Sequence, residues 1–332
     1  MTNISRRNML ALMGGTLAAP YIITSKASAA ASAAEPGIFK MSIQPWIGYG
    51  MWYVAQEKGI FAANGLEGVE FIPFTEDAAN LAILASGEIQ ATNSATHNVL
   101  QHLQESPDYH IALIEDYSTT ADAIVSAKTV NSVADLKGKS IAFEEGTTSH
   151  LLIADALKKA GMKLSDLNWT KTPASQAAAA LLSGSTDAMV TYEPYVSTAL
   201  KADPSLKLLY TAAESPGLIS DCFVVTTRTL KERPGQVRAM VKSWGDAVDL
   251  YNKNPQECQA IIAKGVGSDP SELGSTFEGV HYYTLAENKA LLSGEYAAKT
   301  FPAVNAASLE LGLIKKAFEA KDVIDTTALS SL

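Results

Sequence analysis

Residues 112–125, ALIEDYSTTADAIV, set three carboxylates (Glu115, Asp116, Asp122), three Ser/Thr hydroxyls and Tyr117 between two apolar runs. No Lys or Arg occurs anywhere in residues 88–127 to neutralise them. Such a patch suits a catalytic carboxylate pair, a metal site, a receptor for a cation, or simply a polar turn. A metal site needs three or four converging ligands, and the D-x-D-x-D spacing of a calcium loop is absent, so no metal is expected. Spacing alone leaves a glycosidase-type carboxylate pair open. The chain has no G-x-S-x-G, no H-E-x-x-H and no P-loop, and the GYG at residues 48–50 is too little for a dinucleotide fingerprint. No cofactor is implied.

Two further stretches echo each other. NSATHNVLQHL (residues 93–103) and EGTTSHLLIADAL (residues 145–157) each read as strand end, hydroxyl-rich turn, His, then amphipathic helix. Helix N-termini expose unpaired N–H groups that Ser and Thr cap, and capping alone accounts for most such hydroxyls. A functional reading competes with it, because α/β sheets bind ligands beyond the strand ends where the next helices begin. His97 and His150 open these helices; a surface histidine beside a cap is the plainer reading of each.

The elements that must position these residues alternate regularly. Apolar, β-branched runs at residues 39–46, 69–74, 89–93, 109–114 and 123–126 predict strands, with helices over 50–64, 78–86 and 95–103. The rhythm restarts with strands at 140–144, 168–171, 188–191 and 207–211 and helices at 148–160, 174–183 and 194–202. From about residue 229 the pattern is mostly helical, with prolines near the helix starts. This predicts an α/β protein with two lobes, each a mostly parallel sheet flanked by helices, hinged by two crossovers near residues 123–129 and 212–225. The lobes are drawn as 36–125 with 225–332, and 126–224.

At 332 residues and 47% hydrophobic content the chain can bury two ordinary cores. A net charge of −9 with no basic cluster excludes nucleic acid as a partner. Residues 1–33 read as a cleaved export signal: a basic start, a short apolar run, and small-residue ASA sites. SRRNML within it is similar to a twin-arginine signal. The expected location is the periplasm, where Cys222 and Cys258 could pair.

PWIGYGMWYVAQEKGIFAANGLEGVEFIPF, IEDYSTTADAIVSA, SVADLKGKSIAFEEGTTSHLLIADALKKAGM, STDAMVTYEPYVSTAL and ESPGLISDCFVVTTRTLKERPGQVRAMVKSW together resemble exported solute-binding proteins of the nitrate/sulfonate/taurine class. The resemblance runs collinearly over the chain after the signal. It implies a monomeric, non-enzymatic periplasmic binding protein of type II-like fold. The two lobes would close on a small-molecule ligand and deliver it to an ABC permease with its ATPase. A side branch of the fold makes a thiamine-precursor pyrimidine with a cysteine-rich motif that this sequence lacks. By the same resemblance, ligand contacts fall to Gln44, Trp46 and Tyr49 after the first strand, and to Ser94, Thr96 and His97 after the third. Asp116 and Thr119 in the opening stretch, Thr147, Thr148 and Ser149 at a second-lobe helix start, Glu193, and Asp221 complete the set.

The family suggests an anion, whereas residues 41–57, 88–127, 172–200 and 208–227 hold no Lys or Arg. Carboxylates at Asp116, Glu193 and Asp221 without a nearby base favour a ligand carrying positive charge, an amine or guanidinium, or a zwitterion such as taurine. The alternatives are a sulfonate or nitrate anion held on helix N–H groups, or a thiamine-precursor heterocycle. A sensor protein or an enzyme on the same fold would be different classes of function. Glu115 and Asp122 are expected to face solvent or to cap the crossover.

Overall fold

The computed structural model describes residues 33–332 except 75, 76, 107 and 275; the predicted export signal falls outside them apart from Ala33. Strands β1 (Phe39–Ile43), β2 (Val69–Pro73), β3 (Ala91–Ala95) and β4 (Tyr109–Ser118) belong to a first sheet. Strands β5 (Asp122–Ser126), β6 (Ser140–Phe143), β7 (Asn168–Lys171), β8 (Ala188–Tyr192) and β9 (Lys207–Thr211) form a second. The chain then returns to the first sheet with β10 (Ser220–Thr226) and β11 (Val280–Tyr282). The sheet orders are β11-β4-β10-β3-β1-β2 and β7-β6-β8-β5-β9. This is the two-lobed architecture that the alternation predicted.

Three details differ from the sequence reading. The sheets are mixed rather than mostly parallel: β10 runs antiparallel to both β3 and β4, and β5 antiparallel to both β8 and β9. A strand that arrives from the other lobe enters the cleft end of its new sheet and so runs against its neighbours. The crossings lie at residues 119–121, ahead of the position drawn from sequence, and 212–219, which starts where the sequence reading put it and ends sooner. Consequently β5 belongs wholly to the second lobe and β10 to the first. SDCFVVT, read as part of a crossing, is a strand buried at every residue in the middle of its sheet. Finally β11 interrupts the region read as helical.

The period-2 pattern shows directly in the second lobe. Ile124, Ile141 and Phe143 pack into one apolar cluster, while their neighbours Ala123, Val125 and Ala142 pack into another on the opposite face. The first lobe has one larger core around Trp52, whose ring lies 5.0 Å from Trp244 and 5.2 Å from Phe223. Each such fully buried apolar side chain contributes about 1.5–3 kcal/mol. The 20-residue helix Pro234–Lys253 closes this core, and Glu35 caps its start by accepting N–H bonds from Gly235 (3.0 Å) and Gln236 (2.8 Å). Cys222 and Cys258 are both buried as free thiols, so the pairing that export would permit is not formed.

Candidate functional site

Topology brings the cleft residues together. β1, β3 and β4 end, and β10 begins, at one margin of the first sheet; in register, Asp221 stands between Ala95 on one side and Asp116 on the other. In the second lobe Asp122, opening β5, pairs with Tyr192, closing β8. Between these margins lies a cavity lined by Gln44, Trp46, Tyr49, Asp122, Thr148, Tyr192 and Asp221, with Ala95 and Ile219. It is narrow and half open to solvent.

The lobes meet through several contacts around that cavity. Trp46 and Tyr192 face each other edge-on at 5.7 Å. Gln101 Nε2 donates to the Gly146 carbonyl at 2.8 Å, Ser197 and Thr276 hydroxyls meet at 3.1 Å, and Lys158 pairs with Glu310 at 2.5 Å. Few of these are buried, and an exposed ion pair stabilises by only about 0–1 kcal/mol.

The acids divide into three roles. Asp221 lines the cavity and accepts the Tyr49 hydroxyl at 3.1 Å. Asp116, its cross-strand neighbour, is fully buried, and the Trp46 indole beside it is its hydrogen-bonding partner, favouring the ionised carboxylate. Gly48 makes this packing feasible, since a Cβ there would lie 2.3 Å from Asp116 Oδ2 and 2.1 Å from Trp46 Nε1. Burial drives the Asp116 carboxyl well above the usual range, and the charges of Asp221, Glu115 and Asp122 add to it. Glu115, expected at the surface, is instead fully buried on the opposite face of β4. It accepts from Trp52 Nε1 at 2.8 Å and from Asn93 Nδ2 at 2.9 and 3.0 Å. Its carboxyl is also pushed up, by burial first, with the Trp52 and Asn93 bonds acting against it. Asp122, expected to cap the crossover, is a buried lining residue. The alternation of β4 explains the swap: only every second residue can reach the cleft margin.

Among the other expected contacts, Gln44, Trp46, Tyr49, Thr148 and Asp221 line the cavity. Thr147 is the cap of the helix Thr148–Lys159, accepting from Ser149 N at 3.3 Å, and Ser149 Oγ is buried without a partner. Thr96 turns inward: its hydroxyl meets Tyr296 at 2.6 Å and Ser220 at 3.0 Å within the first lobe. Ser94 is buried in β3 opposite Cys222. Thr119 sits on the first crossing, its N–H bonded to the Gly279 carbonyl. Glu193 caps the helix Tyr195–Ala202 through the Ser197 N–H and hydroxyl (2.9 and 2.8 Å). His97 is buried against Gly146 and His150 of the other lobe, and burial, reinforced by His150, pushes its pKa down to about 3. It is neutral at any ordinary pH. Tyr192, which closes β8 and lines the cavity, was missed, because it lies outside the set that the resemblance gave.

The family model described as NMT1/THI5 like matches residues 47–258, more than half of the chain and every residue lining this cavity except Gln44 and Trp46. The chain belongs to the NMT1/THI5-like family. A binding protein of Brucella abortus is 28% identical over 66% of this chain and 68% of its own length. The taurine-binding periplasmic protein of Escherichia coli is 25% identical over 73% of this chain and 77% of its own. The crystal structure of the periplasmic aliphatic sulphonate binding protein SsuA from Escherichia coli superposes with a TM-score of 0.73 at 19% identity, covering 86% of this chain and 97% of that one. The fold is therefore that of the periplasmic binding proteins. Neither relative named for a ligand is named for a simple amine or guanidinium, so the cationic ligand drawn from the acids finds no support in this NMT1/THI5-like chain's relatives. Among the described residues no helix is long and apolar enough to cross a membrane, and no group of three or more His, Cys, Asp or Glu could hold a metal ion.

Proposed function

We propose that this chain is the extracytoplasmic receptor of an ABC importer and that it captures small organic sulfonates, with an aminosulfonate of the taurine kind as its best ligand. One observation carries the ligand class: the cavity sets an acidic wall, Asp221 and Asp122, against the N-terminus of the helix at Thr148. The helix start offers N–H groups and a partial positive charge to the sulfonate. The acids offer carboxylates to the ammonium, and Trp46 and Tyr192 enclose the short alkyl link. The taurine-binding relative supports this reading in preference to a bare cation, which would leave the helix terminus without an anion. Capture and release without turnover is supported by the relatives, which are named as binding proteins.

A thermal-shift and calorimetric screen of the mature protein tests this. Taurine and propanesulfonate should stabilise it, by about 2.7 kcal/mol at a hundred times the dissociation constant. Nitrate, ethylamine and guanidine should not. Asp221→Asn should weaken taurine more than propanesulfonate. Stabilisation by amines or nitrate in place of sulfonates would overturn the assignment, and product formed from taurine would overturn its non-enzymatic part.

A further inference from the structure

Three neighbours in one row across the first sheet hold the turn that carries Trp46. Asp221 on β10 pairs with Asp116 on β4, and Asp116 pairs in turn with Tyr282 on β11. Directly opposed residues of an antiparallel pair share a face of the sheet, with Cβ atoms about 4.5–5.5 Å apart. Each member of the row grips a different residue of the turn. Asp221 accepts the Tyr49 hydroxyl at 3.1 Å, and the Tyr282 hydroxyl donates to the Ile47 carbonyl at 2.8 Å. Asp116, between them and fully buried, is the partner of the Trp46 indole N–H. The remaining residue, Gly48, has no side chain, and a Cβ there would lie 2.1 Å from Trp46 Nε1 and 2.3 Å from Asp116 Oδ2. A side chain locked by packing and by hydrogen bonds from a rigid sheet keeps its orientation.

The indole fixed in this way forms one side of the cavity, and Tyr192 of the second lobe forms the other. Their ring centroids are 5.7 Å apart with the planes at 85°, and Tyr195 backs Tyr192 edge-on at 5.5 Å. We infer that Asp116 is a positioning residue that fixes Trp46 opposite Tyr192, and that this aromatic pair restricts the receptor to slender sulfonates. A two-carbon chain passes between the rings, whereas a ligand with a ring on its chain or nitrogen must push one of them aside. Asp116 acts through Trp46 and does not itself touch the ligand. Without an acceptor at position 116 the buried indole N–H loses its partner, which turning the ring into the cleft would relieve, at the expense of its place opposite Tyr192. An amide oxygen can accept the same bond, so the role requires an acceptor and not a charge.

The inference rests on the sulfonate reading, and the experiment separates the two. Taurine and N-cyclohexyltaurine are titrated calorimetrically into the mature protein; the second keeps the sulfonate, the two-carbon link and the ammonium and adds only a ring. Wild type should prefer taurine by about tenfold to a hundredfold, the penalty for forcing extra bulk into a packed site. Asp116→Ala and Tyr192→Ala should each lower that preference by about tenfold, and Asp116→Asn should keep it. Proton NMR supplies a readout that needs no ligand. The Trp46 indole N–H signal, identified as the one that Trp46→Phe removes, should exchange faster and move upfield in Asp116→Ala but not in Asp116→Asn. If Asp116→Ala fails to fold, Asp116→Asn and the wild-type indole signal decide: rapid exchange in wild type, or lost preference in Asp116→Asn, overturns the positioning role. Equal loss of preference in Asp116→Asn and Asp116→Ala would make charge the agent and overturn it as well. Equal binding of both probes to wild type overturns the aromatic filter and leaves the sulfonate receptor standing. Binding of neither overturns both.

Discussion

Glu115 offers the sharpest test of how this sheet is held. Its carboxyl accepts three hydrogen bonds, one from Trp52 Nε1 and two from Asn93 Nδ2, at a place where all three residues are at most 1% exposed. Glu115→Ala would orphan two buried donors at about 1–3 kcal/mol each, so the loss should be about 2–6 kcal/mol before any cavity is counted. Glu115→Gln keeps one acceptor oxygen and places an amide N–H against one of the donors, and should cost about 1–3 kcal/mol near neutral pH. Because the folded Glu115 carboxyl is raised, the stability linked to its protonation is fully present below the ordinary carboxylate range and is lost as pH rises through the folded pKa. Glutamine does not titrate, so the gap between wild type and Glu115→Gln should narrow with rising pH, by up to about 1.4 kcal/mol per unit within that window. Urea unfolding followed by tryptophan fluorescence measures this, with Trp52 and Trp244 in contact as the reporter. An alanine variant within about 0.5 kcal/mol of wild type, or a glutamine variant as costly as alanine at every pH, would refute the reasoning.

Three further outcomes follow from other parts of the molecule. Gly48→Ala places a methyl 2.1 Å from Trp46 Nε1 and 2.3 Å from Asp116 Oδ2; it should cost about 1–3 kcal/mol in urea unfolding and weaken taurine at least tenfold by calorimetry. Unchanged affinity would show that Trp46 does not meet the ligand. Glu35→Ala removes both acceptors capping the helix Pro234–Lys253 and should lower stability by about 1–2 kcal/mol, with Glu35→Gln between it and wild type. His97 is neutral in the fold down to about pH 3 but takes a proton near 6.5 when unfolded, so its contribution falls as pH drops through that range. Relative to His97→Gln, wild type should lose about 2 kcal/mol between pH 7 and pH 5, and a constant difference would place His97 in solvent.

The alternation of apolar runs and helices was enough to read the α/β class and the two-lobed return, because period-2 and period-3.6 burial are local properties. Strand direction was not local. β10 looks like any other apolar run, and nothing in SDCFVVT says that it inserts antiparallel between β3 and β4. The same gap displaced the crossings and gave Asp122 to the wrong role. Within the opening stretch the acids were legible as a group and not as individuals. Neighbours on a strand face opposite ways, so either Glu115 or Asp116 had to leave the cleft side, and the choice is made by Trp52 and Asn93, which come from distant segments. Thr96 and Glu193, a hydroxyl and an acid at loop ends, were read as ligand groups, and tertiary contacts with Tyr296 and Ser197 give each a partner inside the fold that no local pattern announces.

An acid-walled cleft in a family with sulfonate-binding relatives is a contradiction only if every carboxyl is counted as a full charge. The helix start at Thr148 supplies roughly half a positive charge, and only to groups within its first turn. Asp221 and Asp122 stand on the other side of the cavity, and residues 88–127, 172–200 and 208–227 bring no Lys or Arg to it. Under the proposed function an ammonium carried by the ligand would meet those carboxylates, which would make the acids a selectivity filter for zwitterions. An anion receptor built with arginines would bind tightly at any pH and discriminate little between sulfonates by what they carry at the other end. The missing bases are thus the feature that would let this cleft read both ends of its ligand.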